Sequence, residues 1–188
     1  MDQRKERPAS RPVKPGAGRA VVADEGAETR TVAVAGLKAG VVGAIGASIL
    51  LLINLVNLPL LPCLVVPGFI VVLLVTGMLA GLMAGDRLKT PGQATRAGIT
   101  AGFVAGLGAG FMAVVLSAFG LMFTELGEGV RTQFTSLQLR NLAEMGISGD
   151  AVRMAGAVAL AFIIWGIAGT IVAVILGALG ARLYYRLR

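Results

Sequence analysis

Few side chains in this sequence could do chemistry. No histidine occurs among the 188 residues, so the commonest general base, metal ligand and haem ligand is missing. Cys63 is the single cysteine. It admits no intrachain disulfide, and one thiol is a poor basis for a metal site; a free cysteine behaves as a small apolar residue. The acids Glu125, Glu128, Glu144 and Asp150 lack metal-ligand spacing with partner residues. The stretch Gly106-Leu107-Gly108-Ala109-Gly110 superficially resembles a nucleotide loop, but it lies inside an apolar run with no strand before it, and no P-loop occurs. Asn54 and Asn57 are three apart and share a helix face. They are the candidates for a polar vestibule; the alternative is a hydrogen bond across helices or to lipid headgroups. Ser48, Thr76, Thr100, Ser117 and Thr170 complete the polar set. No ionisable residue falls in the middle of an apolar run, where it would mark a functional site. The expectation is a protein that is not an enzyme and has no cofactor or metal.

The elements that carry these residues follow from composition. The chain is 56% hydrophobic and 14% charged, with a mean hydropathy of +0.82. A soluble domain carries about a quarter charged residues. The apolar residues form four long runs, at about 32–58, 64–85, 97–123 and 154–181. Each is long enough, at 1.5 Å per residue, to cross a hydrocarbon core of about 30 Å. The short alternating segments of a barrel are absent. The predicted fold is all-α, an integral membrane bundle of four transmembrane helices arranged as two antiparallel hairpins. Pro59, Pro62 and Pro67 break the first pair and suit the start of the second helix. The polar segment Asp86–Arg96, with Pro91-Gly92 as its turn signal, separates the hairpins.

Residues 1–31 read as a disordered tail, rich in Pro and mixed charge. Of the net charge of +7, most of the basic residues fall on one side. The tail holds Arg4, Lys5, Arg7, Arg11, Lys14, Arg19 and Arg30, with Lys38 at its edge. The middle loop holds Arg87, Lys89 and Arg96, and the C-terminus holds Arg182, Arg186 and Arg188. The opposite side has Arg131, Arg140 and Arg153. Positive charge collects on the cytoplasmic side, so both termini are expected in the cytoplasm of a cell membrane and segment 124–153 outside. The same rule accounts for the basic balance without nucleic acid.

Glycine supplies 27 residues, far above the usual share of about 7%. Gly36 and Gly40 are four apart, as are Gly77, Gly81 and Gly85, and as are Gly98, Gly102, Gly106 and Gly110. Four-residue spacing lines each set along one helix face, where a neighbouring backbone can come close. Such a seam can close within one chain or between chains. Residues 36–47 also align with 98–109. This reads as two hairpins in the same orientation about an axis along the membrane normal, as in transporters with parallel repeats. A Gly/Ala-rich composition would produce the same match.

In segment 124–153, Val130, Phe134, Leu137, Leu142 and Met145 share one broad helical face. That predicts a short interfacial helix, packed over the bundle or left open as a docking surface or lid. Gly146 and Ser148-Gly149-Asp150 read as a stop and a new cap. With its polar tail, four Gly/Ala-rich spans, Pro-Cys turn and longer loop before the last span, the layout loosely resembles small uncharacterised four-span membrane proteins of bacteria. That resemblance is one of architecture and implies no activity. The functional expectation is a non-catalytic accessory or scaffold subunit packing through glycine faces, in contact with lipid and with other membrane subunits or itself as a homo-oligomer. A small oligomeric transporter or channel is the alternative.

Overall fold

The computed structural model describes residues 17–54, 61–119, 121 and 124–188, with side chains except at 17–28, 54, 61–64 and 124–126. Helix α1 runs Ala17–Asn54, 38 residues or about 57 Å. This exceeds a bilayer core, and its apolar part is Thr29–Ile53. The second half of the tail is therefore helical rather than disordered. Residues 17–30 are rich in Ala, Glu and Arg, good helix formers, and extending an existing helix needs no new nucleus.

Helix α2 runs Leu61–Ala84. It ends at Gly85, whose φ of +53° is the left-handed conformation that terminates helices. A 3-10 turn, Gly85–Arg87, follows, and Leu88 is buried beneath it. Gly85 thus stops the helix instead of extending the packing row of Gly77 and Gly81, and a Cβ there would meet nothing. Helix α3, Pro91–Ala118, starts before the expected residue 97. The Thr90 hydroxyl accepts the Gln93 amide at 3.3 Å. The Gln93 side chain in turn accepts the amides of Thr90 and Lys89. Thr90-Pro91-Gly92-Gln93 is a capping box with Pro in the first turn, so its Pro-Gly pair opens a helix rather than a turn.

The segment after α3 forms two short helices, α4 (Thr124–Arg131) and α5 (Ser136–Glu144), rather than one. Thr135 caps α5 through a second capping box with Gln138. Gly146, at φ +82°, turns the chain, and the Ser148 hydroxyl accepts the Ala151 amide to start α6, Gly149–Ala161. That helix continues through a π-helical segment, Phe162–Gly169, into α7, Thr170–Leu187. Together they make an apolar rod of 39 residues.

Four rods are long and apolar enough to cross a membrane, and no strand occurs among the described residues. The architecture is that of a multi-pass membrane protein. α1 and α2 are antiparallel, as Gly43 against Thr76 and Gly46 against Val72 show. α3 and α7 form the second antiparallel pair. α1 also lies along α3, and α2 along α7. The hairpins therefore sit side by side. α2 packs on α3, while α7 and α1, their counterparts in the repeat, have no comparable contact, so the two-fold relation suggested by the repeat is absent.

The core is made of small side chains. Ala39, Ala47, Ala80, Ala97, Ala101, Ala105, Ala113, Ala161 and Ala181 are fully or almost fully buried. Large apolar side chains point outward: Val41, Ile45 and Ile49 on α1, Val71 and Val75 on α2, Phe103, Leu107 and Phe111 on α3, and Ile171, Ile175 and Leu179 on α7. In water this would be an inverted protein. In lipid it is the expected sorting, since the solvent is itself apolar and close backbone approach supplies the packing.

Candidate functional site

The tightest geometry lies along the glycine rows. On α3, Gly98, Gly102, Gly106 and Gly110 face α7 and the π segment in order: Gly177, Ala173, Thr170 and Gly166. A methyl on Gly106 would lie 2.7 Å from the Thr170 Cα, and one on Gly110 would lie 2.8 Å from the Gly166 Cα. Gly36 and Gly40 of α1 face the Ala97 and Ala101 carbonyls of α3 at 2.6 and 2.8 Å by the same measure. Gly77 meets Gly177, and Gly81 meets the Tyr184 ring. These faces are occupied by helices of the same chain.

The buried hydroxyls are satisfied locally. Thr76 donates to the Val72 carbonyl, Ser117 to Ala113 and Thr170 to Gly166, at 2.7, 2.7 and 2.6 Å. Each bonds one turn back along its own helix, which leaves no polar pull across the core. The proposed Asn54/Asn57 vestibule lies outside the described residues: Asn57 is not among them, and of Asn54 only the backbone, the last residue of α1, is described. Of the acids in segment 124–153, Glu128 pairs with Arg131 (Nε–Oε1 2.8 Å), Glu144 with Arg140 (3.5 Å) and Asp150 with Arg153 (3.6 Å). Each partner is one helical turn away, the geometry of solvated surface pairs worth about 0.3–0.5 kcal/mol. The Glu125 side chain lies outside the described residues. Among the described residues, no three His, Cys, Asp or Glu side chains come together.

Of the expected interfacial stripe, Val130 meets the bundle, packing on Gly156. Helix α4 sits on α6, with Gly127 against the Arg153 carbonyl and Ala157. Helix α5 buries no residue, and Phe134, Leu137 and Met145 are exposed. The turn at 132–135 separates the two halves of the stripe and points them differently.

One end of the bundle gathers the basic groups. The Tyr185 hydroxyl donates to the Lys89 carbonyl at 3.4 Å, Arg182 donates to the Thr95 hydroxyl at 3.1 Å, and Arg188 pairs with Asp86. Val32 and Ala35 of α1 join Leu88, Ala94 and Ala97 in the cluster beneath. The early part of α1, the middle loop and the end of α7 therefore share one end. A cleft of about 230 Å³, mostly apolar in its lining, lies there between Thr29, Val32, Ala33, Arg96 and Ile99.

An apolar cleft of about 350 Å³ lies between α2, α3, the π segment and α7. Gly106 and Ala109 form its floor, Phe69 and Leu73 one wall, and Trp165, Ala168 and Val172 the other. The Phe69 and Trp165 rings stand 4.9 Å apart, tilted by 45°, within the range of aromatic contact. The volume falls within the range of small-molecule sites, about 300–1,000 Å³. Reading the sequence by period misses this cleft, because a π segment leaves no compositional signature. The one available signal was Trp165, the single tryptophan, placed mid-span rather than at an interface, where tryptophan concentrates.

No protein-family model, no curated protein and no solved structure matches this chain.

Proposed function

We propose that this chain is a non-catalytic accessory or scaffold subunit of a larger membrane assembly, with both termini in the cytoplasm. The observation that carries the reading is the closure of the bundle. Its glycine faces are packed to backbone contact, and its buried hydroxyls bond back to their own helices. Among the described residues, ionisable side chains lie towards the ends of the spans. Lys38 reaches furthest along a span and is exposed, so its stem can run along α1 to the headgroups. What remains for partners is the outer surface and the helices α4 and α5. The orientation rests on the basic end described above and the positive-inside rule.

Gentle detergent extraction of the tagged full chain from its native membrane, followed by mass spectrometry, tests the reading. Partners recovered at fixed stoichiometry support it. A clean homo-oligomer overturns it.

A further inference from the structure

We propose that the apolar cleft beside the π-helical turn binds one acyl chain of a membrane phospholipid. The cleft residues lie within three candidate spans, Val65–Arg87, Pro91–Ala118 and Gly149–Leu187. At that depth the surrounding medium is hydrocarbon. The side chains lining the cleft are all apolar apart from the indole N–H of Trp165. Such a site holds no water, because water needs two to four polar partners. Its occupant must be apolar and must come from the bilayer side.

The mouth supports the same occupant. Its rim carries exposed Val66, Ile70, Ile164 and Val172, continuous with the lipid-facing surface. These four branched side chains hold a second helix backbone at a distance, whereas the closest helix contacts are enriched in small residues. The small-residue rows are already used inside this chain. A flexible hydrocarbon tail can pass between the rim residues and fill an irregular space that a helix cannot enter.

Two features show why the space exists. Gly106 and Ala109 give the floor almost no side-chain bulk, yet α3 cannot move in to close it, because Gly106 already touches the Thr170 backbone. The Phe162–Gly169 segment is wound as a π-helix, a form rare in proteins and frequent at functional positions. It carries Trp165 against Phe69, where the two walls of the cleft meet, and leaves the small Ala168 and Gly169 at its edge.

Trp165 is the chain's single tryptophan, so its fluorescence reports on this site alone. The experiment uses the full chain, purified in detergent and stripped of lipid. It is titrated with phosphatidylcholine brominated at mid-chain, a contact quencher of indole. The expected result is saturable quenching with a plateau at about one lipid per chain, reversed by unbrominated phosphatidylcholine. Ala168→Phe fills the cleft from its exposed edge and should weaken the apparent affinity by roughly tenfold or more. Val172→Phe is the second plug should the first variant fail to fold, with helicity and elution volume checked for both. Quenching that rises without saturation and is unchanged in the plugged variants overturns the proposal, since Trp165 then sees bulk lipid only. A chain that elutes as a dimer and becomes monomeric on plugging overturns it as well, because a second copy then fills the cleft.

Discussion

Gly98 of α3 and Gly177 of α7 meet backbone to backbone: a Cβ on Gly177 would stand 2.5 Å from the Gly98 carbonyl oxygen. Carbon and oxygen cannot approach so closely, so any side chain at 177 must push the helices apart. The same glycine also meets Gly77 of α2, which makes it the point where three helices converge.

Gly177→Ala should therefore destabilise the bundle by about 1–3 kcal/mol, the range for overpacking a well-filled core. The check is the thermal midpoint of the detergent-solubilised protein. Gly129→Ala in α4 is the control, since nothing lies within 4 Å of its Cβ position. Alanine is the better helix former by about 0.5–1 kcal/mol, so this variant should match or exceed the parent. Equal midpoints for Gly177→Ala and the parent would contradict the closed seam.

Gly85 and Gly146 should be sensitive for a different reason. Both hold positive φ with open space around them. Replacement by alanine costs roughly 1–2 kcal/mol of backbone strain at each, with no steric clash. Asparagine, which tolerates this conformation, should recover part of the loss at either position. If Gly85→Asn proves as damaging as Gly85→Leu, packing rather than backbone geometry governs that position.

Ser148 anchors the start of the last rod through its hydroxyl at 3.2 Å from the Ala151 amide. Ser148→Ala should cost about 1 kcal/mol, and faster amide hydrogen exchange should be confined to the first turn of α6. Spreading of that exchange into the π segment would show that the start of α6 and the span unfold together.

Orientation is open to direct labelling. Cys63 is the sole thiol, so a Cys63→Ser background carries single reporter cysteines. Thr132→Cys, in the turn after α4, should react with a membrane-impermeant maleimide in intact cells. Arg186→Cys, at the basic end, should react after the membrane is opened. The reverse pattern would invert the proposed topology.

Sequence reading was strongest where the physics is local. Ser148 was legible as a cap and Gly146 as a stop because capping and positive φ depend on a few neighbouring residues. The start of α3 is equally local, yet Pro91-Gly92 reads as a turn by itself, and only the capping box of Thr90 with Gln93 makes it a helix start. Gly85 shared the spacing of Gly77 and Gly81 yet ends the helix. Spacing alone cannot tell a packing glycine from a terminating one.

The run lengths, the scarcity of mid-span charge and the rows of glycine determined by themselves that this is an all-α bundle of four apolar spans, because a bilayer imposes length and backbone satisfaction on any segment that crosses it. Which faces meet was decided by tertiary structure alone. The Gly98–Gly110 row could have packed against a second copy; here it closes on Gly177, Ala173, Thr170 and Gly166 of the same chain. The apolar cleft is tertiary in the same sense. It needs Phe69, Gly106 and Trp165, from three separate spans, and side chains that distant in sequence are brought together only by packing.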